Sequence, residues 1–579
     1  MEDALKRVKE FEREEDERVA QSALTAIPIR GPLGMIHGFL DRYAFGDRIF
    51  IGPPDIGLLE AVAGRLFGAW EALKQCPRTE GEGYRAEMER YQAVDPTGSQ
   101  VMELLGYGHF CELMPEIHQG LWRVSDSSTA DFALAHNSEG LARAEILDFL
   151  LLQLVSPVLV GPFYLRPATA TEVARRHPNP VEACNRLGAE GRTFRDDYIR
   201  LIESPPLLSD AGFAAATGVS RNKFRRLQAA LFALSDLLVS LANAHFGFAF
   251  HPETEADEHR WTAMEHASVT WRWEALVDWL ASVASVPSAD VEELLRFFVL
   301  DLNEGDDRAV RDGYFPPLVR VEDFAIVSPA MLRLLVMERN ILYVINATDR
   351  KHFDNVVSEY LEPKLLEDFA ALFTRVPTLK VRTSIEFESG ELDLLVFDEV
   401  NNVALHAQAK AALPPQGGRM TTRIEGRSHE ALRQIDAFGS LPSSDRDRII
   451  GNAVGETVVG VDVVNALLSR SCFGREPIWQ RTGDVALLNV SLLALLLSRA
   501  IASERPIDLS TLPSEGVSLL NEMASVSGAT WNVKTVTVGE VALEVPMLDY
   551  DRDAITSYRI RAVHAVAGEH DRAARPVVA

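Results

Sequence analysis

The stretch Ser389–Leu413, SGELDLLVFDEVNNVALHAQAKAAL, decides the fold that this sequence predicts. It contains two apolar runs, Glu391–Phe397 and Val403–Ala409, of the kind that form β-strands. Asn401-Asn402 lies between them, and asparagine is typical of turns. We therefore expect two consecutive strands of one sheet.

Polar side chains interrupt both predicted strands. Asp393 lies in the first strand, and Gln408 and Lys410 stand two residues apart along the second. Side chains two apart on a strand share a face, so adjacent strands would bring all three to one edge of the sheet. A carboxylate and an amide oxygen beside an ammonium group suit the binding of a divalent cation.

Lys410 stands out because lysine is scarce in this chain. Only nine of the 58 basic residues are lysines, and the rest are arginines. Burial can lower the pKa of an ammonium group so that it activates water, whereas a guanidinium stays charged. We expect a chemical role for Lys410; the alternative is a lysine that only reaches solvent, with Asp393 capping a turn.

The flanking pattern predicts a compact α/β unit. A helix over His352–Phe373 and a strand over Lys380–Phe387 come before the quoted stretch. A helix over Ser428–Phe438, a β-rich run over Thr457–Val464 and an apolar helix after Val485 follow it. This order predicts a mixed sheet flanked by helices.

The order of these elements, with Asp393 and Gln408-Ala409-Lys410, resembles the PD-(D/E)xK nuclease superfamily and its restriction-endonuclease-like fold. Gln408, where most members have an acid, is similar to the methylation-dependent restriction endonuclease branch. No proline precedes Asp393, which departs from the usual motif. The resemblance covers residues 340–500 and implies a Mg²⁺-dependent endonuclease, with Mn²⁺ as an alternative ion, that hydrolyses DNA in defence against foreign DNA.

The resemblance also implies residue roles. Asp393, Gln408 and Lys410 would be catalytic; the first two would hold the metal, and Lys410 would orient or deprotonate a water molecule. Because glutamine supplies no charge, another acid is expected, and Glu359 on the preceding helix is the preferred metal ligand. Other candidates for that acid are Asp354, Glu386 and Glu391.

A local basic region follows the predicted metal strand. Residues 402–435 contain five basic residues and two acids in a chain of net charge -26. Gly417-Gly418 predicts a mobile loop whose Arg419, Arg423 and Arg427 would grip phosphates, with Gln434 facing the site from the next helix. A solvated loop without a ligand is the alternative.

Length and composition set the remaining expectations. With 579 residues, 47% of them hydrophobic and 25% charged, the chain has the make-up of a folded protein, and it is long enough for roughly three units. We expect a mostly α-helical domain over 1–335 with a break near 205, a nuclease domain over 340–505, and a C-terminal extension over 506–579 with a loose tail.

The four cysteines, which form no CxxC pair, predict reduced thiols in a cytoplasmic protein rather than a zinc or disulfide framework. The apolar runs Ile146–Leu165 and Val485–Ile501 carry polar residues and are expected to be buried helices, not membrane spans. DNA is the expected partner, with a homodimer or a protein partner of the helical domain as further expectations.

Two other signals have a weaker claim. Phe213–Leu227 resembles a helix-turn-helix with a basic second helix, although an ordinary helix corner explains it as well. His245, His251, His259 and His266 lack the spacing that places ligands on one helical face, so we expect exposed histidines. The rival function is a non-catalytic nucleic-acid-binding or scaffold protein, with a degenerate nuclease fold or a helix-turn-helix regulator.

Overall fold

Three sheets, each covered by helices, organise the chain, which is a mixed α/β protein. The computed structural model describes residues 2–45, 74–78, 84–156, 163–201, 206–249, 256–303, 317–388, 390–415 and 418–569.

The sheet predicted from Ser389–Leu413 has five strands in the order β11-β10-β9-β8-β7. The strands are β7 Leu379–Phe387, β8 Gly390–Asp398, β9 Val403–Lys410, β10 Asp462–Ser469 and β11 Val485–Asn489. The first three form an antiparallel meander, and β10 and β11 then add in parallel to β9. The three predicted strands are confirmed to within a residue at each end. The β-rich run was placed too early, and the apolar run after Val485 begins as a strand instead of a helix.

Side chains of β8 and β9 are buried on both faces of this sheet, as expected for strands covered by helices on each side. Leu394 and Ala407 belong to the large core that includes Phe369 of the preceding helix. Leu395 faces a second core with Ile450 of a later helix. The sheet is therefore the middle layer of a helix–sheet–helix arrangement.

The other two sheets lie largely outside the predicted nuclease region. Strands β1 Trp122–Ser125, β2 Phe132–His136, β12 Thr530–Val538 and β13 Val541–Asp549 form one, in the order β1-β2-β13-β12. Strands β3 Val269–Arg272, β4 Val299–Asp301, β5 Leu318–Val321 and β6 Phe324–Val327 form the other, in the order β3-β6-β5-β4. The described residues of the N-terminal half thus contain six strands among their helices. The predicted boundary at 505 remains a prediction, but strands from both sides of it share a sheet.

Helices make up most of the remainder. Before the central sheet they are α1 Glu2–Ala20, α2 Arg30–Phe45, α3 Tyr84–Val94, α4 Ser99–His118, α5 Glu139–Val155, α6 Pro167–Arg176, α7 Pro180–Arg186, α8 Gly188–Leu201, α9 Asp210–Thr217, α10 Arg221–Ala249, α11 Ala256–Glu265, α12 Trp273–Ala284, α13 Ser288–Leu295, α14 Pro329–Leu335, α15 Glu338–Thr348, α16 Arg350–His352 and α17 Ser358–Phe373. Within and after it they are α18 Gly418–Gly439, α19 Ser443–Val454, α20 Glu476–Trp479, α21 Val490–Ala502, α22 Leu512–Val526 and α23 Arg552–Ala567.

The first of the two stretches expected to be buried helices, Ile146–Leu165, falls partly on α5 and partly on residues 157–162, outside the described residues. The second, Val485–Ile501, falls on β11 and α21. Within the part of the chain that the structure describes, one helix, Arg221–Phe248, is long and apolar enough to cross a membrane. Of its apolar window, 83% is buried inside the protein, as in core helices of globular domains.

Candidate active site

Asp393 and Gln408 lie where β8 and β9 separate. The antiparallel pairing runs from Asp398–Val403 to Leu394–Ala407 and ends there. The next positions in the same register are Asp393 and Gln408, which face each other beyond the last pair. The two polar side chains therefore lie at the point where the two strands separate, which we call the fork.

Two hydrogen bonds orient the oxygens of this fork. The amide of Ala409 donates to Asp393 Oδ2 over 2.7 Å. The side-chain Nε2 of Gln408 donates to the carbonyl oxygen of Glu391 over 2.8 Å. Because its nitrogen is used in this way, Gln408 presents Oε1 as an acceptor, and Asp393 keeps Oδ1. Among the described residues, no hydrogen bond occupies either of these two oxygens.

The electrostatics of the fork favour the binding of positive charge. Asp393 is only 8% exposed, and burial, together with the nearby carboxyl of Glu362, raises its pKa to about 6. Burial also raises the pKa of Glu362, against the opposing effect of Lys410. A divalent ion between these two carboxyls would stabilise their ionised forms, which burial disfavours.

Lys410 ends β9 at the same edge. It is half-buried, and its strand partner on β10 is Ser469. Its charge opposes the upward shifts in the pKa of both Asp393 and Glu362, which places the ammonium in the same electrostatic group. The structure therefore brings Asp393, Gln408 and Lys410 together as the strand pattern predicted.

The acid on the preceding helix that joins this group is Glu362, which sequence reasoning missed. Glu359, the preferred candidate, is exposed in the first turn of α17. Glu362 lies three residues, about 4.5 Å, further along the helix axis. The sequence did contain a signal for Glu362. It follows Leu361 directly and so lies beside the buried stripe formed by Leu361, Leu365 and Phe369.

The remaining candidates for that acid differ in position. Asp354 is exposed and bonds to Arg350, and Glu386 is exposed on β7. Glu391 is exposed at the start of β8, and its charge contributes to the raised pKa of both Glu362 and Asp393.

The basic segment after β9 is a helix, so the prediction of a mobile loop was wrong. Helix α18 begins at Gly418, ten residues before the predicted start. Met420 and Ile424 are buried along it, and an apolar stripe with helical spacing stabilises a helix against the sheet. Gly417 lies outside the described residues.

The four predicted nucleic-acid-binding residues all lie on α18. Arg423, Arg427 and Gln434 are exposed, whereas the side chain of Arg419 is outside the described part. Arg427 is near enough to the fork to lower the pKa of Glu362. The helix thus presents at least one guanidinium beside the acidic group.

The fork has the donor types for a magnesium ion but not a dense cluster of acids. Among the residues that the structure describes, no group of three His, Cys, Asp or Glu side chains is arranged to hold a metal. The fork supplies Asp393 Oδ1, the amide oxygen of Gln408 and the nearby carboxyl of Glu362. Oxygen donors of these kinds suit Mg²⁺, which keeps several water ligands in proteins.

The histidines expected to be exposed are partly buried together. His245 and His266 are each 1% exposed, and His259 Nδ1 lies 3.5 Å from His245 Nδ1. They come from α10, α11 and the residue after α11, so the spacing along one helix was the wrong criterion. His251 lies outside the described residues.

The helix-turn-helix candidate is formed by α9 and α10, which meet at Gly218 with φ of +76°. Basic side chains at the start of α10 bond within the protein. Arg221 pairs with Asp210 and Glu338, Lys223 pairs with Asp290, and Arg226 donates to the carbonyl of Ala284. A DNA-reading role for this pair stays a prediction, and the sheet edge has the more complete chemistry.

The chain matches no protein-family model, no curated protein and no solved structure.

Proposed function

We propose that the protein is a Mg²⁺-dependent nuclease that hydrolyses phosphodiester bonds, with DNA as its substrate and the fork between β8 and β9 as its active site. The observation that supports this proposal most directly is the convergence of Asp393, Gln408 and Lys410 beyond the last β8–β9 pair. Helix α17 is followed by the antiparallel strands β7, β8 and β9 and then by the parallel strands β10 and β11. This order of elements supports a restriction-endonuclease-like core.

Asp393, the amide oxygen of Gln408 and Glu362 would hold the ion. When bound, Mg²⁺ would polarise the scissile phosphate and lower the pKa of a water molecule. We assign the accessory role to Glu362 instead of Glu359, because Lys410 and Glu391 shift the pKa of Glu362 as well as that of Asp393. It supplies the charge that Gln408 lacks.

The chain's own residues account for the other requirements of the reaction. Lys410 would orient the attacking water and stabilise negative charge as it develops on the phosphate. The amide of Ala409 holds the Asp393 carboxyl in a fixed orientation, which avoids reorganisation during the reaction. Arg427, which is exposed and near Glu362, would contact the phosphate backbone beside the scissile bond, a role that guanidinium groups fill readily.

Cleavage assays with isosteric variants test this proposal. The purified protein is incubated with supercoiled, linear and single-stranded DNA and with RNA, in Mg²⁺, Mn²⁺ or EDTA. Asp393→Asn keeps an acceptor for the Ala409 amide but removes the charge, and Lys410→Met keeps the apolar stem but removes the ammonium. We expect metal-dependent cutting of DNA by the wild type and a loss of about 100-fold or more in each variant.

Lys380→Met is the matched control, because Lys380 lies on β7 of the same sheet opposite Phe397 and pairs instead with Glu399 and Glu456. It should cut as the wild type does. Cutting that survives both fork substitutions, or no cutting of any substrate by a folded wild type, would favour the non-catalytic binding or scaffold protein.

A further inference from the structure

A cavity of about 510 Å³ lies away from the fork, between the helical N-terminal half, helix α17 and the C-terminal helix α23. Its apolar walls include Leu152 of α5, Phe224 of α10, Leu372 of α17 and Val563 of α23. Arg225 and Ile560 line it and are exposed, so the cavity opens to solvent. A cavity of this size is typical of sites for small molecules.

The charged lining is strongly basic for a chain of net charge -26. Five arginines face two acids; the residues are Arg221, Arg225, Arg339, Arg375 and Arg470, with Glu338 and Asp368. Both acids are already satisfied within the protein. Glu338 pairs with Arg221 and accepts from two backbone amides, and Asp368 pairs with Lys364 and Arg470. Arginines thus outnumber acids in the lining of the cavity.

Arg470 carries the most specific signal. It is 7% exposed, and its Nη1 donates to Asp368 Oδ2 over 2.8 Å. Its Nε and Nη2 are buried and have no hydrogen-bond partner in the described structure. These two nitrogens lie on one edge of the guanidinium plane, where two parallel N–H groups match two oxygens of a phosphate or carboxylate.

An unpaired buried donor destabilises a protein. An oxyanion bound to these nitrogens would remove that destabilisation at Arg470, a residue that lines the cavity. Because arginines outnumber acids in the lining, a phosphate dianion suits the cavity better than a carboxylate, which carries one charge. The apolar walls suit a ligand that has an uncharged body as well.

We propose that this cavity binds a phosphorylated small molecule of nucleotide size, with its phosphate on Arg470 and neighbouring arginines and its body against the apolar wall. The proposal does not depend on nuclease activity. The cavity and the fork are nevertheless lined by neighbouring residues, because Arg470 follows Ser469, the strand partner of Lys410, and Asp368 shares α17 with Glu362.

Calorimetric titration and thermal unfolding of the full chain test the proposal. The probes are the four nucleoside 5′-monophosphates, the four 5′-triphosphates and pyrophosphate, with adenosine as an uncharged probe and sodium sulfate as the ionic control. We expect at least one nucleotide to bind and to raise the unfolding temperature, and adenosine to bind at least tenfold more weakly.

Two variants address the site by different means. Arg470→Gln removes the unpaired guanidinium edge and leaves Lys364 as a partner for Asp368. Ile560→Trp fills the cavity from an exposed position, where a larger side chain need not disturb folding. Each should weaken nucleotide binding at least tenfold, whereas Arg192→Gln, at an exposed arginine of α8 outside the cavity, should leave it unchanged.

Three outcomes would overturn the proposal. They are failure of every phosphorylated probe to bind the folded wild type, binding that persists in both variants, and equal binding of adenosine and its phosphates. Binding of a single-stranded DNA oligonucleotide alone would also overturn it, since that would make the basic surface part of a nucleic-acid path. None of these outcomes bears on the cleavage assay, so the two proposals can fail separately.

Discussion

At the scale of single residues, the candidate site depends on which acid completes it. The structure separates two glutamates on the same helix that the sequence could not rank: Glu362 has a pKa raised by burial and adjusted by Lys410, and Glu359 is exposed. Both have the same side chain and lie one turn apart. They therefore form a matched pair for mutagenesis.

We expect Glu362→Gln to reduce cleavage by about 10-fold to 100-fold and to raise the Mg²⁺ concentration needed for half-maximal rate, because the ion loses a charged oxygen. Glu359→Gln should cut at the wild-type rate. Rates measured over a Mg²⁺ titration provide the check. A defect in Glu359→Gln with a normal Glu362→Gln would return the accessory role to Glu359.

At the scale of elements, the contact between α10 and α11 is marked by buried imidazoles. His245 packs against His259 and His266, with ring centroids 5.7 Å and 5.2 Å away. The Nε2 atoms of His245 and His266 are buried without a partner within the described residues. Burial, with the neighbouring His266 and His259, lowers the pKa of His245 to about 3.

This shift predicts acid sensitivity. Between an unfolded pKa of about 6.5 and the folded value, the unfolded chain binds a proton that folded His245 does not, so stability falls as pH drops below about 6.5. His245→Phe cannot take up that proton. Relative to the wild type, the variant should therefore gain about 1–2 kcal/mol of unfolding free energy between pH 8 and pH 5.

Urea unfolding of both proteins at the two pH values measures this difference, and titrating groups that do not interact with His245 cancel in the comparison. A difference in unfolding free energy between the two proteins that is the same at pH 8 and pH 5 would show that His245 is protonated in the folded state.

At the scale of the whole molecule, the C-terminal segment is part of the fold. Strand β13 pairs in parallel with β2 at Leu543–Phe132 and Glu544–Ala133. Helices α22 and α23 place Leu520 and Tyr558 in the core that also contains the central sheet. The segment thus connects the first sheet with the candidate nuclease unit.

A chain that ends at residue 505 should therefore fail to fold. It would expose the core side of β2 and of α21 to water. The free energy lost with several buried side chains exceeds the free energy of unfolding of an ordinary protein. Thermal unfolding and circular dichroism of the shortened and full chains are the measurements. A shortened chain that unfolds at the full-length temperature would establish residues 506–579 as a separate extension, as the sequence predicted.

The sequence by itself determined β7, β8, β9 and the helical segment that precedes them, and with them the meeting of Asp393, Gln408 and Lys410. These features follow from strand alternation and turn residues, which act between neighbours in the chain. The composition alone singled out Lys410, because lysine is scarce among the basic residues of this chain.

Only the tertiary structure decided the features that join distant segments. The pairing of Asp462 with Val403 sets where β10 begins, although the apolar pattern starts earlier. Packing between elements also decides three other features. These are which glutamate of α17 lies near the fork, the contact of His245 with His266, and the addition of β12 and β13 to the first sheet. Local pattern predicts which face a residue occupies, whereas contacts between segments far apart in the chain arise only when the whole core has formed.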